Sequence, residues 1–188
     1  MMKNLAIPPL GPELEKILID EATINRRVCE IAATLNEEYK DSEEPVVFVG
    51  VLKGSFIFLA DLTRHLTIPH ISDFIAISSY GQNGSNQGSV RLLMDIREDV
   101  FNKHVVIVED IIDSGNTIKY LQNAFDSRGA KSVKIVSFLD KPDRHTAKDL
   151  KLDHIGFTIP DVWVVGYGLD YKEKYRTLPY IATMFPQL

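Results

Sequence analysis

The sequence predicts an α/β domain whose central sheet is mostly parallel and flanked by helices. Apolar runs rich in β-branched residues recur along the chain, and stretches with helical periodicity lie between them. The length of 188 residues and the hydrophobic content of 45% suit one ordinary domain with a sizeable core. We therefore expect residues 1–188 to form a single domain.

The first half of the chain alternates the two patterns. In order, the predicted elements are a short strand at residues 17–19, a helix with Ile24, Val28, Ile31, Ala32, Leu35 and Tyr39 on one face, a strand at residues 46–51 and a helix at residues 56–66. Asp20 or Thr23 is placed to cap the first helix. This alternation is typical of βα units.

The second half continues the alternation. Apolar runs predict strands at residues 74–80, 90–95, 105–108 and 133–139, and the periodicity of residues 118–125 predicts a helix. Residues 81–88 are too rich in glycine and amides to pack, which predicts a mobile loop. The remainder, about residues 141–188, has short apolar runs at 163–167 and 180–184. With the N-terminal region, we expect it to form a small hood over the sheet's carboxyl edge.

Three acids and a hydroxyl-rich turn follow the most apolar strand. Glu109, Asp110 and Asp113 come directly after residues 105–108, and Ser114-Gly-Asn-Thr117 precedes the predicted helix. Free backbone N–H groups at such a turn favour a phosphate, whereas the carboxylates repel it and need another partner. Ribose hydroxyls are suitable donors, so the stretch predicts a sugar phosphate site. The alternative, in which the acids merely cap the helix, explains one carboxylate but not three.

Other candidate residues also follow predicted strands. Lys53 and Gly54 come after residues 46–51, at the edge where ligands of open α/β sheets bind, and predict a second anion contact. Lys141 follows residues 133–139, and Trp163 and Val164 begin a later apolar run; a donor and a flat apolar face suit a planar heterocycle. Taken singly, each lysine is better explained as solvated, and the tryptophan as part of the core.

The overall charge limits the partners that we expect. A formal net charge of −5 disfavours nucleic acid as a partner, and it favours recruitment of Mg²⁺ when a polyanionic substrate binds. The five histidines show no zinc-ligand spacing, and one cysteine cannot form an intrachain disulfide. Without a recognisable signal peptide or membrane span, we expect a soluble cytoplasmic protein with no membrane partner.

Residues 105–117 resemble the phosphoribosyl-pyrophosphate signature of the type I phosphoribosyltransferases: four apolar residues, two acids, two apolar residues, Asp, Ser or Thr, Gly, a variable residue and Thr. The similarity is greatest to the hypoxanthine and hypoxanthine-guanine branch. Three more segments support it: Val51-Leu-Lys-Gly-Ser, Ser78-Ser-Tyr-Gly, and Trp163-Val-Val-Gly-Tyr-Gly-Leu-Asp-Tyr followed by Tyr175-Arg176. The resemblance covers residues 16–185 and implies the type I phosphoribosyltransferase fold.

The resemblance also implies an activity, namely conversion of hypoxanthine, and guanine as well, plus 5-phosphoribosyl 1-pyrophosphate to IMP or GMP and pyrophosphate. It implies that Glu109 and Asp110 bind the ribose hydroxyls, Asp113 acts catalytically at purine N7, and Ser114, Gly115, Asn116 and Thr117 hold the 5′-phosphate. Lys141, Trp163 and Val164 are implied to bind the purine, Lys53, Gly54 and Arg176 the pyrophosphate, and Asp170, with Glu109 and Asp110, Mg²⁺. Ser79 and Tyr80 are implied to belong to a closing lid, and a cis peptide to precede Lys53. Asn116 departs from the charged residue often found there.

Three rival functions remain open at this stage. A xanthine- or guanine-preferring relative differs only in its base preference. A nucleotide-sensing RNA-binding regulator on the same fold would need a basic face, which 21 basic against 26 acidic residues disfavour. A phospho-receiver domain would leave Asp113, the Ser114–Thr117 turn and Lys53 without a role. The resemblance also implies a homodimer or homotetramer.

Overall fold

The computed structural model describes residues 11–80, 89–147 and 150–185, and it contains two sheets. In chain order the elements are β1 (Leu14–Ile19), α1 (Glu21–Glu38), β2 (Val46–Leu52), α2 (Phe56–Arg64), β3 (His70–Tyr80), β4 (Ser89–Met94), β5 (His104–Ile112), α3 (Asn116–Ser127), β6 (Ser132–Asp140), β7 (His154–Thr158), β8 (Val164–Val165) and β9 (Ile181–Met184). A short 3-10 helix, Pro142–Arg144, follows β6.

The central sheet has six strands in the order β4-β3-β2-β5-β6-β7. All neighbours run parallel except β3 and β4, which are antiparallel. Residues 46–51 of β2 and 105–109 of β5 are buried, because helices cover both faces of the sheet. The carboxyl ends of β2 and β5 consequently meet near the middle of one sheet edge.

The helices bury the two faces of this sheet. α1 and α2 pack on one face through side chains such as Val28 and Phe58, whereas α3 packs on the other through Leu121 and Phe125. All six residues of the predicted α1 face are buried. Asp20 caps α1, since its carboxylate accepts a hydrogen bond from the Thr23 N–H at 2.7 Å.

The second sheet is the predicted hood. β1, from the N-terminal region, pairs antiparallel with β9, and β9 pairs with β8. The segment after β8 is joined to α2, which packs on the main sheet, by a long-range hydrogen bond in which the Tyr167 hydroxyl donates to Asp61 Oδ2 at 2.8 Å. Gly168, one residue further, lies against the turn that follows β2.

Two sequence predictions about strands need correction. β5 continues to Ile112, so Glu109 and Asp110 lie within the strand instead of following it. β7 was missed, because its half-buried residues show neither a buried run nor polar alternation. The predicted loop at residues 81–88 lies outside the described residues. Within the described ranges, no helix is long and apolar enough to cross a membrane.

Candidate active site

A cavity of about 250 Å³ opens at the carboxyl edge of the central sheet. It lies where β2 and β5 end and the hood approaches the sheet. Its lining brings together residues that are far apart in sequence: Val51, Leu52, Lys53, Gly54, Ile77, Glu109, Asp110, Thr117, Asp170 and Arg176. The cavity therefore unites the predicted pyrophosphate, ribose and metal residues with one residue of the predicted phosphate turn.

The turn after β2 is tightly packed around Gly54. The Leu52–Lys53 peptide bond is cis, as the resemblance implied. A Cβ at Gly54 would lie 1.5 Å from Asp110 Oδ2, and a Cβ at Gly168 would lie 1.9 Å from the Gly54 carbonyl oxygen. Gly168 also has a φ of +105°, which favours glycine. Two glycines thus let the turn, β5 and the hood approach one another closely.

The two acids of β5 differ in exposure, since Glu109 is buried whereas Asp110 is partly exposed. Glu109 is buried and its Oε2 has no hydrogen-bond partner among the described residues. Burial, and secondarily the charge of Asp110, raises the pKa of Glu109 well above its usual value. Burial also raises the pKa of Asp110 to about 6, although the Ile111 N–H and Arg176 act in the opposite direction. Both carboxyls therefore need donors or a cation to ionise readily.

Two cations, Lys53 and Arg176, line the same cavity as this acid pair. Arg176 Nη2 lies 2.7 Å from Asp170 Oδ1, and its Nη1 donates to the Gly168 carbonyl at 2.8 Å. Lys53 Nζ lies 3.1 Å from Glu173 Oε2. Lys53, Arg176 and Asp170 thus all line the cavity, and Glu173 is a neighbour that was not predicted from the sequence.

The phosphate turn leads into α3 without a side-chain cap. Gly115 occupies the N-cap position with a φ of +80° and no side chain caps the helix, so the alternative in which the acids merely cap it is wrong. The contact nearest to a cap is a 3.4 Å hydrogen bond from the Asn116 N–H to Ser114 Oγ. Thr117 lines the cavity. N–H groups in this first turn are thus available to an anion.

A chain of ion pairs links Asp113 to Lys141, one of the predicted purine residues. Arg144 Nε lies 2.8 Å from Asp113 Oδ1, and its Nη1 lies 3.4 Å from Asp161 Oδ2. Asp161 also lies 3.8 Å from Lys141 Nζ. Arg144 and Asp161 were not predicted, because no local sequence signal marks long-range ion pairs.

The remaining predicted residues differ in their surroundings. Trp163 is 69% exposed, so its ring is not part of the core, whereas Val164 is buried in β8. Ser79 and Tyr80 end β3, and Ser79 pairs with Val90 of β4. Their side chains, like residues 81–88 of the predicted lid, lie outside the described part of the structure.

The acidic lining suits a hard cation such as Mg²⁺. Glu109, Asp110 and Asp170 offer carboxylate oxygens, and the unpartnered Oε2 of Glu109 is a buried acceptor. Among the described residues, however, no group of three or more acidic, histidine or cysteine side chains could hold a metal by itself. Mg²⁺ typically retains waters and takes substrate oxygens alongside one or two carboxylates. The residues fit a metal that is shared with a substrate.

Comparisons with known proteins agree with this geometry. The sequence model of the family described as phosphoribosyl transferase domain matches residues 17–172. The hypoxanthine phosphoribosyltransferase of Salmonella typhimurium is 46% identical over 167 residues, which cover 89% of this chain and 93% of that protein. The hypoxanthine-guanine phosphoribosyltransferase of Bacillus subtilis is 46% identical over 174 residues, covering 93% and 95%.

Solved structures give the same result. A Bacillus anthracis hypoxanthine-guanine phosphoribosyltransferase superposes with a TM-score of 0.86 at 43% identity, covering 92% of this chain and 100% of that chain. A Trypanosoma cruzi hypoxanthine phosphoribosyltransferase in complex with the product IMP has a TM-score of 0.87 at 39% identity, covering 95% and 98%. The chain therefore belongs to the phosphoribosyltransferase family, among its hypoxanthine and hypoxanthine-guanine phosphoribosyltransferases.

Proposed function

We propose that the protein transfers the phosphoribosyl group of 5-phosphoribosyl 1-pyrophosphate to hypoxanthine and guanine, giving IMP or GMP and pyrophosphate. One observation carries this proposal: a single cavity combines two cations, Lys53 and Arg176, with the acid pair Glu109 and Asp110 and an uncapped helix start. The cations suit pyrophosphate, the acids suit ribose hydroxyls, and the free N–H groups suit a 5′-phosphate.

The acid pair is proposed to hold the sugar. A diol donates two hydrogen bonds, and Glu109 and Asp110 then accept them in their ionised forms. Both groups have raised pKa values in the free protein, so donors from the ribose would offset the effect of burial. Ser114, Gly115, Asn116 and Thr117 would hold the 5′-phosphate at the start of α3.

The base is proposed to bind at the ion-paired group beside the cavity. Lys141 would donate to the 6-oxo oxygen, Trp163 would stack on the ring, and the Val164 backbone would meet its other edge. Asp113 would exchange a proton or a hydrogen bond with N7. Because Lys141 only donates, a 6-amino purine would leave it unpaired, and adenine should be rejected.

Transfer breaks the bond between C1 of the sugar and the pyrophosphate oxygen and forms one from C1 to a purine nitrogen. The sugar passes through an oxocarbenium-like state, which water captures easily. Lys53, Gly54 and Arg176 face the leaving pyrophosphate, so positive charge lies where negative charge develops. Ser79 and Tyr80 are proposed to belong to a lid that excludes water during this step.

The metal requirement is proposed to be met by Mg²⁺. Asp170, with Glu109 and Asp110, would supply its protein oxygens, and substrate oxygens would complete its coordination. When bound, Mg²⁺ neutralises charge on the leaving pyrophosphate. The net charge of −5 makes such neutralisation favourable for a polyanionic substrate.

Steady-state assays with hypoxanthine, guanine, xanthine and adenine, each with phosphoribosyl pyrophosphate and Mg²⁺, test the proposed activity. We expect turnover with hypoxanthine and guanine, release of pyrophosphate, and no turnover with adenine. A preference for xanthine would favour the xanthine-directed alternative. Failure with all four bases, together with RNA retention in a filter-binding assay, would favour the regulator, which the names of the relatives do not support.

The quaternary structure is proposed to be a homodimer or homotetramer. One of the similar solved structures, from Trypanosoma cruzi, comes from work on its C-terminal region and oligomeric state, with a TM-score of 0.88 at 38% identity. Light scattering after size-exclusion chromatography measures the mass directly. A monomeric mass at micromolar concentration would contradict the proposal.

A further inference from the structure

Glu173 lies between the two cations of the cavity and has no role in the proposed reaction. Its Oε2 lies 3.1 Å from Lys53 Nζ and 3.4 Å from Arg176 Nη2. Resting on the proposed function, we infer that Glu173 occupies the position of a pyrophosphate oxygen in the free protein and is displaced when pyrophosphate binds. Glu173 is thus an internal competitor of the substrate and of the product.

The chemistry of the contact supports this assignment. A carboxylate oxygen and a pyrophosphate oxygen are both anionic acceptors, and ammonium and guanidinium groups donate to either. Lys53 and Glu173 are separated by 120 residues, so their contact joins the turn after β2 to the hood. Glu173 therefore contacts the same two cations, Lys53 and Arg176, that a pyrophosphate must reach.

The exposure of the pair makes it displaceable. The side chains of Lys53 and Glu173 are 67% and 66% exposed. Exposed ion pairs contribute little free energy, because water competes for both partners and two flexible side chains become ordered. A pyrophosphate carries several negative charges and can contact both cations at once, so it should replace the single carboxylate.

The surroundings allow the carboxylate to leave without disturbing the site. Arg176 is held independently of Glu173, through Asp170 Oδ1 at 2.7 Å and the Gly168 carbonyl at 2.8 Å. The Glu173 backbone is also fixed, since its N–H donates to Asp170 Oδ2 at 2.8 Å. Only the Glu173 side chain needs to rotate away from Lys53, while Arg176 keeps its position.

The competition has a consequence for the catalytic cycle. Pyrophosphate binding must break the contacts of Glu173 and then tolerate its negative charge nearby, and like charges weaken binding. Glu173 therefore weakens retention of the pyrophosphate product as well as binding of the pyrophosphate moiety of the substrate. The base and the 5′-phosphate bind elsewhere and should not be affected.

Glu173→Gln tests the inference, because it keeps the shape of the side chain and removes its charge. Isothermal titration of the intact protein with pyrophosphate and Mg²⁺ should show binding about 3- to 10-fold tighter than in the wild type, the range expected for losing weak exposed ion pairs. The KM for phosphoribosyl pyrophosphate should fall similarly, while IMP affinity and the KM for hypoxanthine stay unchanged.

Glu30→Gln is the matched control. It makes the same change in net charge and breaks an exposed ion pair, Arg27 Nη1 to Glu30 Oε2 at 2.9 Å, on α1 outside the cavity. Its pyrophosphate affinity should equal that of the wild type. If Glu30→Gln tightened binding as much as Glu173→Gln, the effect would be one of overall charge and the inference would be overturned.

The remaining outcomes separate the inference from the proposed function. Unchanged or weaker pyrophosphate binding by Glu173→Gln, in a protein that still converts hypoxanthine, would overturn the inference alone. Weaker binding would mean that Glu173 assists the pyrophosphate instead of competing with it. A wild-type protein that binds neither pyrophosphate nor IMP would overturn the proposed function together with the inference.

Discussion

The carboxylate of Asp110 lies in the space that a side chain at residue 54 would occupy. A Cβ at Gly54 would be 1.5 Å from Asp110 Oδ2 and 2.3 Å from its Cγ, which is far below any real contact. The absence of a side chain at Gly54 therefore lets the turn after β2 contact the acid pair of β5. This relationship connects the proposed pyrophosphate contact with the proposed ribose contact.

Gly54→Ala should consequently impair activity more than stability. The added methyl group must push the Asp110 carboxylate out of its position, and misplacement by about 1 Å typically lowers rates by about 10²-fold. We expect kcat/KM for phosphoribosyl pyrophosphate to fall by about that factor in steady-state assays. Gly11→Ala is the control, since a Cβ at Gly11 would meet Tyr175 at an ordinary 3.5 Å. Equal activity of the two variants would contradict the packing argument.

Asp110→Asn should change the pH dependence of stability. The folded-state pKa of Asp110 is raised from 3.8 to about 6, so the folded protein binds this proton more tightly than the unfolded chain does. Stability should therefore fall as pH rises from about 4 to about 6. Removing the carboxyl should make the variant more stable than the wild type at pH 7. At pH 4 this difference in stability should be much smaller. Thermal unfolding at the two pH values measures this difference.

Asp95→Asn is a control for which we expect the opposite change in stability at pH 7. Its hydrogen bonds with Arg128 hold the pKa of Asp95 below its usual value, so Asp95 contributes stability above that pKa. This contribution is lost as pH falls. Asp95→Asn should thus be less stable than the wild type at pH 7, with a smaller deficit at low pH. If both variants moved in the same direction, the raised pKa of Asp110 would not be the cause.

Lys141→Ala should weaken binding of 6-oxopurines and leave phosphoribosyl pyrophosphate binding unchanged. The lysine follows β6, its side chain is only 11% exposed, and its sole ion-pair partner among the described residues is Asp161 at 3.8 Å. A lost hydrogen bond from a charged donor corresponds to about 10-fold or more in the KM for hypoxanthine. Lys134→Ala is the control: Lys134 lies within β6 and pairs with Glu38, so this variant should bind hypoxanthine normally.

Most of the fold was predictable because buried parallel strands are continuous apolar runs. β2 and β6 are buried over most of their length, and their predicted bounds lie within one residue of the structural ones. β7 could not be recognised, since four of its five residues are half-buried and none is fully enclosed. The end of β5 was misplaced because acids within a strand look like the residues of a turn.

The site was predictable to the extent that its residues lie in one segment or in a recognised motif. The signature and the Lys53-Gly54 turn identified the cavity, because the carboxyl ends of parallel strands share one edge. Arg144 and Glu173 were missed for a physical reason. Their partners, Asp113 and Lys53, lie 31 and 120 residues away, and an ion pair across that distance has no sequence pattern.

Asp113→Asn should lower turnover with hypoxanthine by about 10²-fold, the usual scale for loss of an acid-base group. The carboxylate is half-exposed and its pair with Arg144 contributes little to folding, so the melting temperature should change little. Stopped assays of IMP formation measure the rate, and circular dichroism checks the fold.

Asp95→Asn distinguishes loss of a proton-transferring carboxyl from loss of an ion pair. Asp95 and Asp113 are comparably exposed, at 41% and 50%, and each carboxylate pairs with an arginine through both oxygens. Asp95 lies at the other end of α3, beside Arg128, so its variant should retain wild-type turnover. Because the two substitutions remove the same kind of contact, a rate loss confined to Asp113→Asn is specific to that position and is not a general effect of losing a carboxylate–arginine pair. Wild-type turnover of Asp113→Asn would remove Asp113 from the mechanism.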